Sequence, residues 1–270
     1  MEMKLKDWVT MGNLLCGMAS GAVLMFPGMS PDVSHADRIF YLQIASYLVV
    51  AGFLFDASDG LVARLTKQFN LFGGELDNLC DMITYSIAPG FLLYYAFAQI
   101  AGWPMWASGL VAFFPVAVGT VRAARYNVRR ASFPGFFVGL PRTAFAFVMV
   151  ALLNSVVFRN AEEMFGGRWA YAIPAVVVGY ISYLMISYKP FISHHGHRWT
   201  GLILFGLVWF LVSIPGGVLF GWLVLDAPEF VFDILLFDLM VYLFLGTFTI
   251  PKAMKTEYWA YIKEWKAKGE

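Results

Sequence analysis

The chain has 270 residues, of which 60% are hydrophobic, 18% aromatic and 14% charged, with a mean hydropathy of +0.67. A soluble domain carries about 25% charged residues, so the composition excludes an ordinary water-soluble domain and makes a bilayer the expected solvent. A net charge of +1 provides no electrostatic footprint for a nucleic-acid partner.

A helix that spans a bilayer needs about 20 mostly apolar residues, and eight stretches qualify, roughly 8–26, 39–64, 74–101, 103–124, 138–158, 169–188, 199–225 and 230–250. The expected fold is therefore an all-α polytopic membrane bundle. The first stretch lacks a small-residue cleavage site and leads straight into further spans, so it reads as a retained helix. Cys16 and Cys80 sit far apart in apolar segments and are expected to be packing thiols. Glu162 and Glu163 read as a solvated outer loop, and His194, His195 and His197 as a loop beside Arg198. Pro215-Gly216-Gly217 predicts a kink. Asp233 and Asp238, in the last span, are expected to face a neighbouring helix or its wet end. From Lys252 onward, Lys alternates with Trp and Tyr, which suits either an interfacial helix or a frayed tail.

Lys and Arg set the orientation. With the N-terminus cytoplasmic, the inner segments carry Lys4, Lys6, Arg64, Lys67, Arg122, Arg125, Arg129, Arg130, Arg142, Lys189, Arg198, Lys252, Lys255, Lys263, Lys266 and Lys268. Only Arg38, Arg159 and Arg168 of the 19 basic residues fall outside. Both termini are thus expected in the cytoplasm.

The second and third spans meet at an acidic stretch, Asp56 to Asp81. Asp56, Asp59, Gly60 and Ala63 share one helical face, and Gly73, Asp77 and Asp81 share a face of the next helix. Facing each other, the two helices would converge four carboxylates, with small residues beside them. An unpaired acid in a membrane costs about 2.5–3.5 kcal/mol on insertion scales, so a cation cluster is the expected partner. Asp56 lies 18 residues past Arg38, about 27 Å along a helix. That crosses most of a hydrocarbon core of about 30 Å and sets the acids at the cytoplasmic interface. Carboxylate oxygens suit Mg²⁺, Mn²⁺ or Ca²⁺, and two such ions can clamp a diphosphate during phosphoryl transfer. Gly60, Ala63 and Gly73 leave room for a nucleotide, and Arg64 can take a phosphate. Asp81, the last carboxylate, is placed to accept a proton.

Asp56-x2-Asp59-Gly60-x2-Ala63-Arg64-x8-Gly73-x3-Asp77-x3-Asp81 resembles, position for position, the signature of the CDP-alcohol phosphatidyltransferases. The resemblance implies a six-helix catalytic core, here about residues 1–190, with residues 191–270 forming a C-terminal pair of helices and a tail. It implies two divalent cations on Asp56, Asp59, Asp77 and Asp81, with Asp81 also the catalytic base. Asp59, Gly60, Ala63, Arg64, Gly73 and Asp77 would bind the CDP moiety. Members of the family are often dimers, so a homodimer is an expectation.

Three further stretches are similar to the phosphatidylserine synthase branch of that family. They are Thr10-Met-Gly-Asn13-Leu-Leu-Cys16-Gly17, Val121-Arg122-Ala-Ala-Arg125-Tyr126-Asn127 and Phe136-Phe137-Val138-Gly139-Leu140-Pro141. Asp81-Met-Ile-Thr84-Tyr85-Ser86-Ile-Ala88-Pro89 also fits. Lys6-Asp7, Asn70 and Arg142-Thr143 depart from the branch's usual residues. The resemblance implies transfer of a phosphatidyl group from CDP-diacylglycerol, or an ether-lipid analogue, to L-serine with release of CMP. Arg122, Arg125, Asn127 and Arg142 are the acceptor-binding candidates, an Arg holding the serine carboxylate through its guanidinium fork. Inositol phosphate, glycerol phosphate or choline are the alternative acceptors. A cation transporter is the alternative of another class, but it would place its acids near midplane on inverted repeats.

Overall fold

A backbone in hydrocarbon must satisfy its own N–H and C=O groups, and a helix does so within one segment. The computed structural model describes residues 3–66, 71–129, 131–193, 201–227, 229–245 and 248–268, and it is helical in each of the eight apolar stretches. Helices α1 to α6 run Leu5–Met25, His35–Thr66, Leu71–Met82, Ala88–Tyr95, Met105–Val128 and Arg142–Asn154. Helices α7 to α12 run Val156–Arg159, Ala161–Phe165, Ala172–Ile186, Gly201–Leu223, Phe230–Met240 and Lys252–Ala267. Among the described residues, Leu5–Met25, His35–Thr66, Met105–Val128 and Trp169–Ile186 are long and apolar enough to cross a membrane, and shorter apolar helices accompany them. The chain is an all-α polytopic membrane protein. Lys67, Asn70, Arg130, His194, His195, His197 and Arg198 lie outside the described residues.

α2 is 32 residues long, about 48 Å at the helical rise. That exceeds a hydrocarbon core of about 30 Å, so its charged last turns extend past the apolar layer. α3 and α4 form one rod with two π turns, Ile83–Ile87 between them and Ala96–Ile100 after them. Pro89 lacks an N–H and its ring presses on the preceding turn, which a widened π turn relieves. Thr84, Tyr85 and Ser86 in that turn are buried. α1 packs along both α2 and this rod. The approach is close at Gly17, where a Cβ would stand 2.5 Å from Thr84 Oγ1 and 2.9 Å from Thr84 Cα.

The fifth span begins at Arg142 rather than near 138, because Phe136–Val138 forms a strand, β1. It pairs antiparallel with β2, Pro190–Ile192, with Phe136 opposite Ile192. Gly139, at φ +74°, turns the chain out of the strand, and Pro141 precedes the first turn of α6. Phe136 and Val138 pack with Ile250, Tyr258 and Ile262 in a small core of their own. The residues from Lys252 are therefore a helix, docked by its Tyr258–Ile262 face, and Tyr258 donates to the Tyr188 carbonyl at 2.8 Å.

At the opposite end, Val156 N–H donates to Asp233 at 2.9 Å, and Arg159 pairs with Glu229 at 3.0 Å. Burial pushes the Glu229 carboxyl up, but a backbone hydrogen bond and Arg159 outweigh it and hold it below the usual range. Asp238 accepts from Trp209 Nε1 at 2.9 Å and Ser213 Oγ at 2.5 Å. It faces a neighbouring helix, as its position in an apolar span requires. Cys16 and Cys80 are free thiols.

Candidate active site

The site forms where α1, α2 and α3 meet. Ligand oxygens of Asp56, Asp59 and Asp77 all lie within 4.8 Å of one another. The four-residue spacing of Asp56 and Gly60 on α2, and of Gly73, Asp77 and Asp81 on α3, aims both faces into one crevice. α1 supplies the third wall, because Lys6, Thr10, Asn13 and Gly17 recur at helical spacing on its buried face. Thr10 Oγ1 donates to Asp59 Oδ2 at 2.5 Å, and Tyr85 OH donates to Asp56 Oδ2 at 3.0 Å. Lys6 pairs with Asp7 at 3.5 Å and supplies positive charge near Asp59 and Asp77. The Lys6-Asp7 pair thus places a buried ion pair at the rim of the acidic crevice.

Asp81 stands outside the group of three. Its Oδ1 accepts from Asn13 Nδ2 at 3.2 Å, and its Oδ2 lies 3.7 Å from Arg142 Nη2. Thr84 Oγ1 holds the Asn13 carbonyl at 2.9 Å and so fixes the turn that presents Asn13. Gly60 opens onto free space, since a Cβ there would meet only Arg64 Nη1, at 3.8 Å. Arg64 is exposed beside it, whereas Ala63 and Gly73 are buried.

The four acceptor candidates separate. Arg122 Nη1 donates to the Val138 and Met185 carbonyls at 3.1 and 2.6 Å, and Arg125 Nη1 donates to Ile186 at 2.9 Å while stacking over Tyr188. Both thereby close the carbonyl end of α9. Arg142 instead faces Asp81 and bonds Asn78 Oδ1 at 2.8 Å. Asn127 is tied to the site through Asn78, whose Nδ2 donates to Asn127 Oδ1 at 2.7 Å. Thr10, Asn13 and Tyr85 stand in the stretches similar to the branch but are not among the candidate site residues there, and Asn78 lies outside the fixed positions of the signature. Their signal was positional: Thr10, Asn13 and Gly17 share a face of α1, and Asn78, Asp81 and Tyr85 follow one another by one helical turn.

Residues 3–181 match the family model for CDP-alcohol phosphatidyltransferase. The chain belongs to the CDP-alcohol phosphatidyltransferase family. It is therefore an enzyme of this transferase class. Among curated relatives, the CDP-diacylglycerol–serine O-phosphatidyltransferase of Helicobacter pylori strain 26695 is 33% identical over 186 residues, which cover 65% of this chain and 73% of that protein. The protein of the same name from Saccharomyces cerevisiae is 35% identical over 149 residues, 52% of this chain and 50% of its own. That from Methanocaldococcus jannaschii is 29% identical over 159 residues, 58% of this chain and 65% of its own.

CDP-alcohol phosphatidyltransferases depend on divalent cations, and the acidic crevice fits such an ion on two observations. Three hard oxygen ligands converge, and Asp77 Oδ1 is buried without a hydrogen-bond partner among the described residues. A lone pair left so is expensive unless a cation or donor meets it. Cys80 lies within the same stretch but is not one of the converging ligands.

Proposed function

We infer that the chain is a phosphatidylserine synthase, transferring the phosphatidyl group of CDP-diacylglycerol, or of an ether-lipid analogue, to L-serine. The observation that carries this reading is Asp81 beside Arg142, 3.7 Å apart at the edge of the three-carboxylate crevice. A proton acceptor and a carboxylate-binding fork then stand next to the phosphate site, as an amino-acid alcohol requires. The names of the relatives support the same acceptor.

Asp56, Asp59 and Asp77, with Asp81 at the margin, would hold two divalent cations, Mg²⁺ or Mn²⁺. When bound, these would neutralise the diphosphate and the charge that develops as CMP departs. Gly60 leaves room for the nucleotide to lie against α2, and Arg64 takes a phosphate oxygen there. Arg142 holds the serine carboxylate, which sets the hydroxyl at Asp81. Asp81 removes the hydroxyl proton as the serine oxygen bonds to the β-phosphorus and the P–O bond to CMP breaks. Asn13, bonded to the other Asp81 oxygen, keeps the carboxylate turned toward the acceptor. Residues 1–190 serve as the catalytic core, and 191–270 form the C-terminal pair and tail. The reaction faces the cytoplasm, with both termini on that side of the cytoplasmic membrane.

A matched panel of acceptors tests the assignment. Serine is expected to release labelled CMP from CDP-diacylglycerol faster than inositol phosphate, glycerol phosphate or choline; another alcohol ranking first would overturn it. Arg64→Ala is expected to weaken CDP about tenfold, the size of one hydrogen bond to a charged group. The shift in Tm on titrating CDP with Mn²⁺ measures this, and an unchanged affinity would remove Arg64 from the nucleotide site.

A further inference from the structure

Resting on Arg142 as the clamp for the acceptor carboxylate, we propose that Asn78 is a positioning residue, which with Asn127 holds the Arg142 guanidinium away from Asp81 and open to the acceptor. Asn78 lies on α3 between Asp77 and Asp81. Its carbonyl oxygen accepts from Arg142 Nη2 at 2.8 Å, and its amide nitrogen donates to Asn127 Oδ1 at 2.7 Å. The two bonds fix the sense of the amide, because a flip would set donor against donor and acceptor against acceptor. The chain of bonds ties together α3, the last turn of α5 and the first residue of α6.

A guanidinium beside a carboxylate ordinarily closes into a short two-pronged pair. Here Asp81 Oδ2 stays 3.7 Å from Nη2, and Nη1 lies 3.9 Å from Met82 Sδ. Asn78 bonds Nη2, the same nitrogen that faces Asp81, and so draws one of its two N–H groups to the amide. Closure would occupy the acceptor clamp and the proton acceptor at once, and an incoming carboxylate would first have to pull them apart. The relay keeps both groups available, and its loss should appear in the KM for the acceptor. Asn127 needs no contact with the acceptor on this account; it orients Asn78.

The full-length enzyme in detergent, assayed by CMP release, tests this with Asn78→Ala, Asn127→Ala, the double variant and Arg142→Ala. Asn78→Ala is expected to raise the serine KM about tenfold, the worth of one hydrogen bond to a charged group, with kcat and the CDP-induced Tm shift within about threefold. Asn127→Ala should move the serine KM the same way by less. The double variant should be no worse than Asn78→Ala, since both break one chain of bonds. An unchanged serine KM in Asn78→Ala, while Arg142→Ala raises it, would overturn the relay and leave the clamp standing. Parallel losses of kcat, CDP response and Tm in Asn78→Ala would mark a merely structural residue and also overturn it. Additive effects in the double variant would do the same. If Arg142→Ala leaves the serine KM unchanged, the clamp itself falls, and the relay with it.

Discussion

Asp81→Asn is expected to lower kcat by about 10²–10⁴, the contribution of a well-placed general base, while CDP with Mn²⁺ still raises Tm. The substitution keeps the shape of the side chain and an oxygen for Asn13 Nδ2, which now lies at 3.2 Å. It removes the charge and the ability to take a proton, and it turns an amide N–H toward Arg142. The three carboxylates that converge within 4.8 Å do not include Asp81, so cation and nucleotide binding should outlast the loss of turnover. Single-turnover release of CMP, measured beside the CDP-induced Tm shift, separates the two functions. Retained turnover would remove Asp81 as the base. A vanished CDP shift would instead make Asp81 a full member of the cation site.

The helices and the acidic crevice were legible because both are written in helical periodicity. Asp56 and Asp59 on one helix, and Gly73 and Asp77 on the next, follow spacings that membrane helices convert into two facing surfaces. The strand pair was not legible. Phe136 to Val138 is a short apolar run joined through Gly139 to an apolar helix, and its partner at Pro190–Ile192 is more than fifty residues away. Periodicity cannot distinguish three strand residues from the start of a span. The acceptor-binding candidates were legible as charges but not as partners. Arg122 and Arg125 are three apart on one helical face, which suits a bidentate site, and Nη1 of each meets an open carbonyl at the end of α9. Only the fold shows that those carbonyls lie within reach. Asn78 was hidden for the opposite reason, since an uncharged amide beside an aspartate carries no pattern until Arg142 and Asn127 arrive from other helices.

Chelation of divalent cations is expected to abolish both turnover and the response to CDP, with each restored by Mn²⁺ or Mg²⁺. Asp77→Asn should reproduce the effect of chelation without relief by added metal at ordinary concentrations. Asp77 Oδ1 is buried with no hydrogen-bond donor among the described residues, and two further carboxylates lie beside it in the crevice. Like charges at that range repel, and the Thr10 and Tyr85 hydroxyls each quiet only one oxygen, on Asp59 and Asp56. Lys6 sets one positive charge near Asp59 and Asp77, and three ionised carboxylates there call for more than that one charge. A ligand at a hundred times its Kd stabilises its protein by about 2.7 kcal/mol, which makes the CDP response easy to read by Tm. With EDTA that response should disappear, although CDP itself is still present, because the diphosphate would then face bare carboxylates. A transporter using the same acids would respond to Mn²⁺ and ignore CDP. A CDP shift that survives chelation would break the link between the acidic crevice and the nucleotide, and with it the division of labour between the three clustered carboxylates and Asp81.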